Sequence, residues 1–342
     1  MAKTLKSPLT MRDVARAAGV SRMTVSRALK EDSPISVETR DRILKVVREM
    51  NYVPNQVAGS LTTKRSGFVG ALVPSLNNLH FAETVQTLTE VIEGIGRQIL
   101  LGHSDYSAER EEQIVELMLR RRPEAIVLSY DGHADRTVQL LQDARIPVIE
   151  LWERPARPIA HTIGFSNQTA AAEMTEALIG KGYRYIAFLG EADDDWTRGA
   201  ARRAGFTLAM ERSGLSAHRQ MRVGKPPISI EVGAAAIPTL LERYPDTDCV
   251  FCVSDAPAFG ALSALASLGH RVPEDIGLAG FGNFEVSRFS TPAISTVMVD
   301  PRRIGRAAGQ LITELLAEPA EAVIEPRHIP VETRPCFRGS TR

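Results

Sequence analysis

The 342-residue chain lacks the marks of several large protein classes. Its three cysteines, an odd number, give no disulfide framework. Cys249 and Cys252 spell C-x-x-C, but they lie in DCVFCVSD, which reads as a buried strand. Residues three apart on a strand point to opposite faces and cannot share a metal ion. No apolar run reaches membrane-spanning length, and MAKTLKSPLT has no apolar secretion segment, so a cytoplasmic chain without membrane contact is expected. HExxH, a Walker loop, GxSxG and a complete GxGxxG are missing; GIGRQI at 94–99 lacks the third glycine. The acidic run from Glu191 to Asp195 lacks the ligand spacing of a calcium loop. No nucleophile, base and oxyanion donors assemble, so the expectation is a chain that is no enzyme and needs no metal and no cofactor.

Net charge is absent too, with 41 Lys and Arg against 41 Asp and Glu. The average conceals an asymmetry. Residues 1–66 hold 13 basic and 6 acidic side chains, a balance of +7, which leaves 28 against 35, or −7, for the rest. A basic head on an acidic body is the pattern of a protein that meets phosphate with its head alone.

What the head does contain is TMRDVARAAGVSRMTVSRALK, residues 10–30. Thr10 with Asp13 three residues on is a capping-box-like helix start, and Val14, Ala15 and Ala18 mark a buried stripe. Gly19 supplies a turn. Ser21 caps a second helix whose apolar side is Val25, Ala28 and Leu29, directing Arg22, Met23, Ser26, Arg27 and Lys30 outward. Two short helices joined through such a turn form a helix-turn-helix, whose second helix reads base edges in the major groove. A third helix, capped by Ser36 and running to Met50, closes the head with Ile43, Val47 and Met50, and Asn51 ends it.

Tyr52-Val53-Pro54-Asn55 then forces an extended entry into QVAGSL, a stretch too short and too weakened by Gly59 to hold a helix without a supporting surface. From Phe68 strands and helices alternate. Strands are expected at 68–73, 98–103, 125–130 and 147–152, with helices near 79–95, 107–121 and 134–144. A second series opens with HTIGF at 161–165 and continues with strands at 185–190, 220–223, 248–253 and 276–281, with helices at 168–180, 197–213, 229–242 and 255–268. The fold class is therefore an all-α head plus an α/β core of two doubly wound parallel-sheet subdomains, with ligands expected in the cleft at the strands' carboxyl ends. A last strand near 294–299, a helix at 301–317 and a strand near 323–332 weave back across both subdomains.

On DVARAAGVSRMTVSRAL, NYVPNQVAGSL, RRAGF at 202–206, SDAPAFGALSAL at 254–265 and VPEDIGLAGF at 272–281, the chain resembles the LacI/GalR transcription regulators. The likeness runs from Leu9 to about Thr333 and is greatest to repressors of gluconate and related sugar-acid operons. It implies a core of periplasmic-binding-protein type. The domains would be a leader at 1–9, a DNA-binding head at 10–51, a hinge helix and linker at 52–66, and an effector and dimerisation domain at 67–342. Within the last, one subdomain would take about 67–163 and 295–322, the other about 164–294 and 323–342.

By the same resemblance Arg22, Met23 and Arg27 reach major-groove bases, Thr10, Ser21, Thr24 and Ser26 touch the DNA backbone, and Lys30 adds a basic side chain. Arg suits guanine O6 and N7, and hydroxyls suit phosphate oxygens. Asn55, Ala58 and Leu61 match a hinge helix that folds in the minor groove, with Leu61 as a wedge. The effector pocket would take His80, Phe81, Ser129, Trp196, Arg198, Arg202, Ser254 and Asn283, with Asp255 as a helix N-cap. Many sugar-binding relatives carry an acidic residue after a Gly-aromatic pair. Here Gly280-Phe281 is followed by Gly282-Asn283, which with Arg198 and Arg202 favours a carboxylate-bearing effector over a neutral sugar. The implied partners are a pseudo-palindromic double-stranded operator, a sugar-acid effector and a second copy of the chain, as a homodimer. The rival class, a sugar-binding protein or sugar-modifying enzyme on the same two-lobed fold, leaves the basic head without a use.

Overall fold

Three polar residues set the helix starts of the N-terminal unit, residues 1–66. The computed structural model describes residues 9–29, 34–53, 66–129, 132–192, 197–319 and 325–342. Lys30, the hinge residues Asn55, Ala58 and Leu61, the acidic residues Asp193 to Asp195, and Trp196 lie outside the described residues. Helices α1 (Met11–Ala17), α2 (Arg22–Ala28) and α3 (Val37–Glu49) form the head. The Asp13 carboxylate accepts the Thr10 N–H at 3.0 Å and the Thr10 hydroxyl at 2.6 Å. Ser21 Oγ accepts the Thr24 N–H at 3.1 Å, and Ser36 Oγ accepts that of Thr39 at 3.4 Å. Gly19 turns the chain at φ +66°, a conformation that costs glycine little, and Asn51 at φ +50° ends α3 in the same left-handed region. Val14, Ala15, Ala18, Val25, Ala28 and Ile43 make the core as expected; Leu29, Val47 and Met50 are only half-buried around it. Tyr52, expected merely to extend the chain, is buried with them.

The second unit, Gly67–Arg342, holds two lobes. The first begins with β1 (Phe68–Val73), α4 (Leu79–Gly94), β2 (Gln98–His103), α5 (Ala108–Leu119), β3 (Ala125–Ser129), α6 (Asp135–Asp143), β4 (Val148–Leu151) and β5 (His161–Gly164). The second follows with α7 (Asn167–Gly180), β6 (Ile186–Gly190), α8 (Arg198–Arg212), β7 (Gln220–Arg222), α9 (Ile230–Arg243), β8 (Cys249–Cys252), α10 (Asp255–Ser267), β9 (Gly277–Gly282), α11 (Glu285–Phe289) and β10 (Ser295–Met298). The chain then returns through α12 (Pro301–Ala317) and β11 (His328–Pro330) to the first lobe and ends with β12 (Arg334–Cys336) in the second. The sheet orders are β2-β1-β3-β4-β5-β11 and β7-β6-β8-β9-β10-β12, parallel except that β12 runs against β10. Central strands are buried on both faces, as a sheet covered by helices requires, and the edge strands β2 and β7 are partly exposed. No helix among the described residues is long and apolar enough to cross a membrane.

Two expectations are corrected. HTIGF does not open the second series: His161 and Ile163 pair with Ile149 and Leu151, so β5 belongs to the first sheet. The link between β4 and β5 contains no helix, so alternation alone could not place it. The subdomain boundaries trade places, because 295–298 pairs with β9 in the second sheet and 328–330 pairs with β5 in the first. Finally, α11 and β12 are elements that the sequence pattern does not announce. The chain therefore passes between the lobes three times, at 165–166, 299–300 and 331–333.

The first lobe also buries an ion cluster between α5, α6 and β4. His133 Nδ1 lies 2.6 Å from Glu111 Oε1, and its Nε2 lies 3.6 Å from Glu150 Oε1. Glu150 Oε2 accepts the Ile159 N–H at 2.6 Å. Burial by itself would lower the His133 pKa; the hydrogen bond to Glu111 and the nearby carboxylates of Glu111 and Glu150 outweigh it and raise it to about 9.

Candidate functional site

The head presents a reading surface on α2. Arg22, Met23 and Arg27 are exposed, Met23 at 65 %, while Val25 and Ala28 on the other side are fully buried. Seven residues make a helix about 10 Å long, which fits a major groove about 12 Å wide. The hydroxyls expected at phosphates are engaged within the caps. Thr10 gives its only O–H proton to Asp13. Ser21 and Thr24 share one bond at 2.8 Å, so one of their two protons remains to be donated outward. Ser26 is half-buried.

In the second unit the carboxyl ends of the strands face each other across a cleft that encloses a cavity of about 50 Å³. From the first lobe its wall takes His80 and Phe81 at the start of α4, Tyr106, and Trp152 just past β4. From the second it takes Glu191, Arg198, Arg202, Ser254, Phe281 and Phe284.

Helix α8 supplies the charge. Thr197 caps it, accepting the Ala200 N–H at 3.0 Å and donating its hydroxyl to Glu191 Oε2 at 2.8 Å. Gly199 lets that carboxylate lie on the helix's first turn, since a Cβ there would come within 2.0 Å of Oε2. Arg198 and Arg202, four residues apart, share one face. The Arg198 guanidinium is 4.8 Å from the centre of the Phe81 ring of the other lobe, and that of Arg202 is 3.8 Å from the Phe281 ring. Arg202 also donates Nε–H to Asn167 Oδ1 at 2.8 Å and Nη1–H to the Val253 carbonyl at 2.7 Å. Burial, then the like charge of Arg198, lowers its pKa to about 10.

Two more contacts join the lobes. His80 Nε2 lies 2.7 Å from the Gly282 carbonyl, its ring stacked on Trp152 at 5.2 Å and edge-on to Phe284 at 4.2 Å. Burial, with Arg202 nearby, lowers the His80 pKa to about 3, so the ring is neutral, Nε2 carries the proton donated to Gly282, and Nδ1 is an acceptor. Asn167, fully buried at the first crossing, donates Nδ2 to the Trp152 carbonyl at 3.0 Å and to Glu153 Oε2 at 2.9 Å while it accepts from Arg202. Such a site can bind an oxygen-rich anion.

Comparison with known proteins assigns both parts. The family described as "Bacterial regulatory proteins, lacI family" matches residues 10–55, and "Periplasmic binding protein-like domain" matches 175–341. The HTH-type transcriptional regulator GntR of Escherichia coli (strain K12) is 33 % identical over 309 residues, which is 90 % of this chain and 92 % of that one. The chain belongs to the LacI family. It is thus a LacI-family DNA-binding transcriptional regulator. A crystal structure of a LacI-family transcriptional regulator from Silicibacter pomeroyi is 60 % identical with a TM-score of 0.77, covering 80 % of this chain and 99 % of that one. The lac repressor dimer bound to operator and the anti-inducer ONPF superposes with a TM-score of 0.83 at 25 % identity, covering 98 % and 99 %.

Within this LacI-family cleft, His80, Phe81, Arg198, Arg202 and Ser254 come together as expected. Ser129 does not line the cavity; it is buried at the end of β3 with its Oγ unpartnered. Asn283 is turned away, at φ +63°, with Oδ1 accepting from Arg338 Nη2 at 2.5 Å, and it borders a separate surface groove. Asp255 is not the N-cap, a position that Ser254 holds; its carboxylate accepts the Thr296 hydroxyl and the Phe284 N–H, both at 2.6 Å. Glu191, Tyr106, Trp152 and Phe284 are pocket residues that sequence reasoning passes over. Phe284 follows directly on the Gly-Phe-Gly-Asn stretch and is within its reach. Cys249 and Cys252 belong to opposite core faces of the second lobe, as their spacing implies.

Proposed function

We propose that the chain is a homodimeric repressor whose hold on a pseudo-palindromic operator is set by a sugar acid, gluconate or a close relative, bound in the cleft. The observation that carries the effector class is Arg202. Its side chain is enclosed beside a second guanidinium, and its hydrogen bonds go to the neutral acceptors of Asn167 and Val253. With Glu191 counted against the two arginines, the described wall has one positive charge in excess, which one carboxylate would balance. Charge-assisted bonds of about 1.5–3 kcal/mol each would favour that group over a hydroxyl. Glu191 supports a second reading, a neutral sugar whose hydroxyls donate to it.

Operator reading is assigned to Arg22, Met23 and Arg27, with the hinge residues Asn55, Ala58 and Leu61 completing the contact at the centre of the site. The lac repressor dimer on its operator supports that arrangement. Closure of the cleft on effector would shift the lobes, disfavour the hinge and release DNA.

The test is a calorimetric panel of neutral hexoses, polyols and sugar acids, followed by gel shifts with and without the tightest ligand. Sugar acids should bind preferentially. A neutral sugar bound more tightly than every acid would sink the assignment. Operator affinity should fall with salt by about 0.9 log units per phosphate contact for each log unit of salt.

A further inference from the structure

The first residue of α10, Asp255, is fully buried directly after the cavity-lining Ser254. Gly280 leaves room for its carboxylate, since a Cβ there would come within 2.2 Å of Oδ1. Both oxygens accept from neutral donors: Oδ2 takes the Phe284 N–H and Oδ1 the Thr296 hydroxyl, each at 2.6 Å. Thr296 Oγ1 in turn accepts the Asn283 N–H at 3.2 Å. Two consecutive backbone N–H groups are thus anchored on one carboxylate, the first through a hydroxyl and the second directly.

The anchored segment is where the second lobe meets the first. The Gly282 carbonyl accepts from His80 Nε2 at 2.7 Å, and the Phe284 ring lines the cavity with His80 edge-on at 4.2 Å. Asn283 between them stands at φ +63°, a conformation that persists only where its surroundings hold it. Burial pushes the Asp255 carboxyl up to about 6, against the Thr296 and Phe284 bonds and the Arg338 charge, which pull it down.

We propose that Asp255 is a positioning residue of the effector site: its ionised carboxylate holds Gly282 and Phe284 against His80, and protonating it loosens that contact and weakens effector binding. The proposal rests on the cleft being the effector site. As an anion Asp255 accepts both bonds with charge assistance. As an acid it must turn one oxygen into a donor, and Thr296 then has to send its own proton to the Val297 carbonyl, 3.4 Å away. The folded pKa stands above the ordinary 3.8, so the stability conferred by this proton is complete below pH 3.8 and is lost as pH rises through about 6. Acidification therefore stabilises the fold at this position while it loosens the site, a pair of signs that a purely structural role does not give. Of the groups around it, Arg338 stays charged, burial keeps the Cys252 thiol of β8 protonated, and His80 at about 3 and Arg202 at about 10 do not titrate between pH 5 and 7.5. Glu231, Glu242 and Arg243 of α9 and Glu285 and Arg288 of α11 are exposed.

Calorimetry of the full-length protein with gluconate, itself ionised over this range, tests the coupling. The wild-type Kd should rise about tenfold from pH 7.5 to 5. Asp255→Asn, neutral at every pH, should bind as wild type does at pH 5, give a flat profile, and melt without ligand at the wild-type temperature or above it. A wild-type affinity that does not vary with pH overturns the proposal, as does a pH profile that Asp255→Asn leaves unchanged or a loss of apo stability that matches the loss of binding. A second measurement uses no ligand and no change at Asp255. The Phe284 amide proton, observed by NMR with nitrogen-labelled phenylalanine and assigned with Phe284→Leu, should move upfield as pH falls, with a midpoint near 6; a signal that stays in place refutes the anchor. If wild type prefers another ligand of the panel, that ligand replaces gluconate. The sugar-acid reading then fails in ligand preference, whereas the role of Asp255 fails only in the pH profiles and the amide titration.

Discussion

His133→Gln should change how the stability of the effector domain depends on pH. The imidazole is 2 % exposed between Glu111, 8 % exposed, and Glu150, fully buried, so its proton is held by two carboxylates away from water. A pKa of about 9 in the folded chain, against 6.5 when unfolded, means that the folded state binds the proton more tightly. The corresponding stabilisation is about 3 kcal/mol at 1.36 kcal/mol per pKa unit. Because the folded pKa is raised, this stabilisation is complete below pH 6.5 and is lost as pH rises through 9. Glutamine fills much of the space but carries no charge, leaving two carboxylates without their counter-ion at a cost of about 3–5 kcal/mol at neutral pH. Urea unfolding of full-length protein at pH 6, 7.5 and 9, followed on the transition of the larger unit, measures both effects. Wild type should lose about 3 kcal/mol across that range, equivalent to roughly 6–12 °C in Tm for a unit of this size, and the variant much less. Parallel pH profiles for the two proteins would refute the assignment of the proton to His133.

Arg202→Leu should weaken sugar-acid binding by about 100-fold, from the loss of charge-assisted bonds, with operator affinity in the absence of effector little changed; calorimetry and gel shifts together check this. Arg22→Ala should relax base preference at one position of each half-site by about 1–3 kcal/mol, read by selection of bound DNA from a random pool, and a uniform loss over all sequences would reassign Arg22 to phosphate. Leu61→Ala should weaken operator binding while sparing effector binding, so loss of both together contradicts the division of labour between head, hinge and cleft.

The central strands are legible in the sequence because parallel sheets covered on both faces demand runs such as AIVLS and DCVFCV, and those runs reappear as β3 and β8 within one or two residues. Helix starts are legible through the Thr10–Asp13 pair, in which the Asp13 carboxylate accepts the Thr10 N–H, and through Ser21 and Ser36, whose hydroxyl oxygens cap backbone N–H groups. Elements without a period are not. β12 is Arg-Pro-Cys, three residues with no apolar alternation, and α11 is five residues long. The pocket divides in the same way. Arg198 and Arg202 share a helix face at a readable spacing, but Trp152 passes for the last residue of a strand, whereas it stands just beyond β4 in a left-handed conformation that turns its ring onto His80. Asn283 follows an informative glycine-aromatic pair yet is claimed by Arg338, a partner 55 residues away that no local pattern announces.

The three chain crossings also govern how such a protein can be recombined. The head is one uninterrupted stretch, so a single junction near Ser66 exchanges it whole, and with it the DNA sequence addressed. Neither lobe of the effector domain is uninterrupted: transplanting one would require junctions at 165–166, 299–300 and 331–333 at once. Modular inheritance is therefore open to the reader of DNA and closed to the halves of the sensor. A new effector has to be acquired by side-chain replacement at positions such as Trp152, Glu191 and Arg202, in place, while the old geometry continues to hold the lobes together.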